Sequence, residues 1–116
     1  MNLDTPNLFQ LASDRLKWLS DKQKVVSENI ANADTAGYRA REVEGFESYL
    51  RAAEAAGTSL DAQVQESATS WGSDISGNNV ILEEQILEAT DTAGQYRIAA
   101  NLYRKAHDMM RMVSGG

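Results

Sequence analysis

The sequence predicts a mainly α chain in which long N- and C-terminal helices pair as a coiled coil, joined by an irregular middle with short extended segments. Three observations predict it. Apolar residues recur in alternating steps of three and four at both ends of the chain. Between those ends, glycine, serine, threonine and acidic residues replace the pattern. And 116 residues, 42% of them hydrophobic, are enough for one domain, 1–116, with a modest core.

The N-terminal helix is expected over 5–33. Thr5 suits an N-cap and Pro6 the first helical position, where a missing N–H is harmless. Phe9, Ala12, Leu16, Leu19, Gln23, Val26, Ile30 and Ala33 form a heptad seam with one polar interruption at Gln23. Asp14 with Lys17 and Asp21 with Lys24 read as i,i+3 pairs on a solvated face.

The middle is expected over 34–79. It holds five of the eight glycines, and residues 40–80 carry seven acids against two arginines. Tyr38 to Val43 suits a short extended segment. Glu47 to Ala56 reads as a short helix that Gly57 ends, and Leu60, Ala62 and Val64 alternate as in a strand. Much of Gly57 to Gly77 is polar enough that weak packing is expected.

The C-terminal helix is expected over 80–113. Asn78 or Asn79 suits its cap, and Glu83 and Glu84 favour the positive end of the helix dipole. Leu82, Ile86, Ala89, Ala93, Tyr96, Ala100, Tyr103, His107 and Met110 make a second seam. A further stripe of Ile98, Leu102, Met109 and Met112 widens the apolar face beyond what one partner helix covers. That surplus implies further partners, most simply copies of the chain or related chains, and an isolated chain that is only partly ordered.

Composition excludes much chemistry. Eleven basic residues against seventeen acidic ones, net charge −6, do not suit a nucleic-acid module. With no cysteine and one histidine, thiolate sites, disulfides and most metal and triad chemistry are absent. No cofactor and no small-molecule substrate are implied. No run approaches the roughly 20 apolar residues of a membrane span, and no cleaved secretory signal is visible at the N-terminus.

The segment after the first helix is Asn29-Ile30-Ala31-Asn32-Ala33-Asp34-Thr35-Ala36-Gly37-Tyr38. It resembles the N-terminal signature of the bacterial flagellar axial proteins, the rod, hook and hook-associated subunits. Ala36 stands where that family has proline. A second match, Gly77-Asn78-Asn79-Val80 followed by Leu82-Glu83-Glu84 and a helix containing Gln95-Tyr96-Arg97, resembles the proximal rod subtype, as does Trp71 before it. The resemblance covers residues 5–43 and 71–113.

The resemblance implies a structural subunit of the proximal rod of the flagellar basal body. It implies export by the flagellar type III apparatus without a cleaved signal, and helical stacking with paired terminal helices in an inner tube. The implied partners are copies of the chain, other rod proteins, and the membrane-ring adaptor and export-gate proteins at the rod base. The implied assembly and turn residues are Asn29, Asn32, Thr35, Gly37, Tyr38, Asn78, Asn79 and Val80. The seam residues are Leu16, Leu19, Val26, Ile30, Leu82, Ile86, Tyr96, Leu102, Tyr103 and Met109.

Blander readings stand beside these. Asn29 and Asn32 also suit the polar end of any helix, with side-chain amides bonding nearby backbone. Gly37 suits a type II turn over Thr35–Tyr38. His107 reads as a surface or interface residue, the methionines as helix packing, and Glu83, Glu84 and Glu88 as a charged helix start rather than an acid/base pair. A helical adaptor or export chaperone would explain the seams but not the two motifs, and an enzyme would need reactive groups this composition hardly offers.

Overall fold

The computed structural model describes residues 5–67 and 77–114, with side chains from Asn7 onward. In chain order they form α1 (Thr5–Ala31), β1 (Arg41–Val43), α2 (Phe46–Ala56), β2 (Val64–Glu66) and α3 (Leu82–Val113). Trp71 lies outside the described residues, and so do the Thr5 and Pro6 side chains on which the expected capping roles rest.

Helices α1 and α3 pack antiparallel along their length. Phe9 stacks against Tyr103 with centroids 4.8 Å apart. Further along, Arg15 Nη2 donates to Gln95 Oε1 at 2.7 Å, and Lys22 pairs with Glu88 at 3.2 Å. At the far end Asn29 Nδ2 donates to Gln85 Oε1 at 3.0 Å. The molecule is accordingly elongated, 62 × 26 × 17 Å.

The α3 seam differs from the expected one. Its inward line is Thr92, Ala99 and Ala106, all buried and seven residues apart, with half-buried Gln85 one heptad earlier. Half-buried Ala89, Tyr103 and Met110 flank that line. Leu82 and Ile86, expected between the helices, are instead 41% and 50% exposed. The physical reason is size. Small residues let helix backbones approach, so alanine and threonine face α1 while the bulkier side chains turn outward.

On α1, Ala12, Leu19 and Val26 are buried and Leu16 and Ile30 half-buried. A second buried line, with Trp18 and Val25, faces the middle of the chain. Trp18 and Leu19 of α1, Tyr49 of α2, Ala62 and Ala99 form one core cluster, against which Leu16, Val43, Phe46 and Leu60 pack.

The middle is therefore more ordered than its polarity suggests over Gly57–Ser67. Phe46 begins α2 one residue before the expected Glu47, and Gly57 closes it with φ 73°, its N–H bonding Ala53 and Glu54 carbonyls. Leu60 and Ala62 do not lie in a strand but pack into the core. Strands β1 and β2 pair antiparallel with Glu42 opposite Gln65. Asp14, expected on a solvated face, is buried under this segment, where Gln10 and Ser59 donate to its carboxylate at 3.1 and 3.2 Å. Lys17 pairs not with Asp14 but with Asp21 at 2.6 Å and Asp61 at 3.0 Å. Burial pulls the Lys17 ammonium down, but the two carboxylates outweigh it and hold its pKa above the usual value.

Candidate assembly site

The two sequence motifs, about 40 residues apart, meet at one end of the helix pair. Asn29, the last polar residue of α1, is buried and uses its whole amide. Its Nδ2 donates to the Arg41 carbonyl at 2.8 Å and to Gln85 Oε1 at 3.0 Å. Its Oδ1 accepts from the Arg41 amide at 3.0 Å and from the Tyr38 hydroxyl at 3.1 Å. One side chain thus joins α1, β1 and the start of α3.

After Ala31 the chain tightens into successive turns. Ala33 N donates to Ile30 O at 3.2 Å, Thr35 N to Asn32 O at 3.0 Å, and Tyr38 N to Thr35 O at 3.2 Å. Asn32 Nδ2 reaches back to the Glu28 carbonyl at 2.8 Å, and its Oδ1 accepts from Thr35 Oγ1 at 3.0 Å. This is why α1 stops two residues short of Ala33. Gly37 has φ 76° and no non-glycine residue described has positive φ, so Thr35–Tyr38 is a type II turn. Gly77 packs onto it: a Cβ there would meet Gly37 Cα at 3.6 Å.

Asn78 and Asn79 do not cap α3. The residue preceding that helix in the cap position is Ile81, without a side-chain cap bond. Instead Asn78 Nδ2 donates to the carbonyls of Asn32 and Thr35 at 2.8 and 2.7 Å. Its Oδ1 accepts from half-buried Val80 N at 2.8 Å. Asn79 Oδ1 accepts from Ala40 N at 2.6 Å, and Asn79 N donates to Tyr38 O at 3.3 Å. Both asparagines are buried, and their side chains bond the α1–β1 connection and Val80 N rather than capping the helix they precede. Burial, followed by the nearby Glu28, pushes the Tyr38 phenol up.

Of the expected seam, Leu16, Leu19, Val26 and Ile30 lie on packed faces of α1, and Tyr103 lies half-buried under Phe9. Leu82, Ile86, Tyr96, Leu102 and Met109 are exposed. His107 sits 6.1 Å from the Phe9 ring.

Trp18, Val25 and Gln85 were missed. Trp18 Nε1 donates to the Glu44 carbonyl at 2.8 Å, and the Arg15 guanidinium lies 4.9 Å from its ring centroid and 4.7 Å from that of Phe46. Val25 shares that face. A signal existed: Leu11, Trp18, Val25 and Asn32 are seven apart, a second heptad line beside the first. The third, Gln85, carries no signal of its own. Between Trp18, β1 and the start of α3 lies an open groove of about 590 Å³. Among the described residues there is no group of three histidine, cysteine or acidic side chains placed to hold a metal ion, and no helix long and apolar enough to cross a membrane.

The comparisons fall on the same residues. Residues 9–39, which include most of α1 and the first motif, match the family described as flagella basal body rod protein. The flagellar basal body rod protein FlgB of Agrobacterium fabrum is 34% identical over 90% of this chain and 90% of its own length. With both motifs closed into one node and a relative of that identity running nearly end to end, this chain belongs to the flagellar basal body rod protein family.

Proposed function

We propose that this structural rod subunit occupies the proximal part of the rod, polymerises helically, and joins the membrane ring and export gate below to the rest of the rod above. Its partners are then copies of itself, other rod proteins, and the adaptor and export-gate proteins at the rod base. It reaches the periplasm through the flagellar type III apparatus. The proximal position rests on the similarity to a FlgB protein.

The observation that carries polymerisation is the outward face of α3. Leu82, Ile86 and Tyr96 are exposed and lie on one face of the helix. Apolar side chains aligned along a 32-residue helix are covered in a filament by neighbouring helices. The node at the motif end keeps that helix in fixed register with α1, so each copy presents the same surface.

The test separates folding from assembly. Ile86→Asp in the genomic copy leaves the isolated chain as helical as wild type, because Ile86 touches solvent, yet yields non-motile cells whose basal bodies stop before the rod is complete. Lys17→Ala, which loses only part-exposed ion pairs, leaves cells swimming. Normal motility with Ile86→Asp and with Leu82→Asp overturns the assignment of this face.

A further inference from the structure

A second exposed line runs along α3 beside the one just described, and its chemistry is symmetric about Ile98. Ile98 is 71% exposed. Four residues to either side stand Gly94 and Leu102; seven to either side, Asp91 and Lys105; eleven to either side, Leu87 and Met109. Leu87 is 70% exposed, and Leu102 and Met109 are exposed as well. Steps of four, seven and eleven return to one face of an α-helix. The pairs are complementary: small against large, acid against base, apolar against apolar.

We propose that the unassembled chain forms an antiparallel dimer through this line, with Ile98 of the two copies meeting on a two-fold axis. Only a second copy running in the opposite direction places Leu102 over Gly94, Lys105 over Asp91 and Met109 over Leu87, twice each. Charge along the whole helix selects the same direction. Residues 82–96 hold four acids and no base; residues 97–113 hold four bases and one acid. An antiparallel partner lays the acidic half over the basic half, and opposes the helix dipoles favourably. A parallel partner in register stacks like on like. Asp91 accepts from Gln95 Nε2 at 2.7 Å through one oxygen, leaving the other for the second copy, and Lys105 has no ion pair among the described residues.

The apolar pairs supply the affinity and the charges the direction. The dimer rests on this line of α3 and not on the rod reading. Where that reading holds, the two differ in kind: a growing filament repeats a head-to-tail contact, whereas a two-fold contact closes on itself. The dimer is then a form that covers the stripe before incorporation and must part for the subunit to be added.

The full chain has no cysteine, so single introduced cysteines report the geometry. Ile98→Cys cross-links to a dimer under mild oxidation. Asp91→Cys alone does not, because its two copies lie about 21 Å apart along the helices, 14 residues at 1.5 Å each. A mixture of Asp91→Cys and Lys105→Cys chains cross-links between them. In sedimentation equilibrium, Ile98→Glu raises the dimer dissociation constant by at least about tenfold with unchanged circular dichroism. Asp91→Lys and Lys105→Asp each weaken the dimer, and the two together restore it. A wild-type chain that stays monomeric at about 100 μM overturns the proposal. So does equal cross-linking of Asp91→Cys and Ile98→Cys, open-ended oligomers in place of a dimer, or a double charge swap that does not recover.

Discussion

The Asn29 side chain pairs with both backbone groups of Arg41, donating to its carbonyl at 2.8 Å and accepting from its amide at 3.0 Å. A helix residue thereby does for the first residue of β1 what a neighbouring strand would do. Asn29→Leu keeps the volume but removes all four bonds, stranding Arg41, Tyr38 and Gln85 polar groups in a buried place. Each stranded group costs about 1–3 kcal/mol. The expected outcome is a large drop in the denaturant midpoint, with Asn29→Asp intermediate: its carboxylate still accepts from Arg41 N and Tyr38 but faces two acceptors where it once donated. Wild-type stability in Asn29→Leu would show that the node contributes nothing.

Gly37 and Ala36 divide the cost of the type II turn differently. A Cβ on Gly37 meets nothing within 4 Å, so substitution is penalised by torsion alone. Gly37→Val should lower stability by at least about 1–2 kcal/mol and impair motility. Ala36→Pro places a ring where the turn favours one, and the Ala36 N–H is not engaged in the turn's hydrogen bonds. It should be neutral or stabilising by about 0.4–1 kcal/mol. Thermal melts of the two variants moving in the same direction would contradict this turn.

Thr92 is wholly buried on the α1-facing line of α3, and its hydroxyl has no hydrogen-bond partner among the described residues. Thr92→Val replaces that hydroxyl with a methyl of similar shape. It should stabilise the chain by about 1 kcal/mol, the lower end of the penalty for an unmet buried donor. A destabilised Thr92→Val in equilibrium unfolding would mean the hydroxyl is satisfied after all.

Alkali should act through the tyrosines. Burial pushes both Tyr38 and Tyr49 above the usual phenol value of 10.0. The folded chain therefore holds these protons after the unfolded chain has released them. Their contribution is complete below about pH 10 and falls as pH rises through the folded values. Tyr49→Phe loses the bond from its hydroxyl to the Leu60 carbonyl, 2.8 Å in length, about 1 kcal/mol at neutral pH. The same variant should also show a shallower loss of stability as pH rises above about 10. A slope equal to wild type would show that Tyr49 does not titrate against folding.

The long helices were legible because periodicity needs only local information. Leu19 and Val26 repeat on one line of α1, and both are buried. The phase of α3 was not legible, because a hydrophobicity pattern weights Leu82 and Ile86 above Thr92 and Ala106, whereas close helix approach favours the small residues. The node was half legible. Asn29, Gly37, Asn78 and Asn79 stood out as a motif, but the bonds they make run to Arg41, Thr35, Ala40 and Gln85, and long-range partners leave no trace in spacing. Asp14 misled for the same reason: only the fold brings Ser59 to it.

The hydrogen bond from Asn79 N to Tyr38 O joins the place where the chain leaves the helix pair to the place where it returns. The described parts of the stretch between are held at this neck and packed on α1. Loop-closure entropy rises only with the logarithm of length, about 0.6 kcal/mol per doubling. Extra sequence spliced into an exposed turn such as Gly57–Thr58 would therefore hang outside the neck and leave the helix pair's geometry unaltered. A lineage could change the girth of such a subunit while the contacts along α1 and α3 stayed as they were.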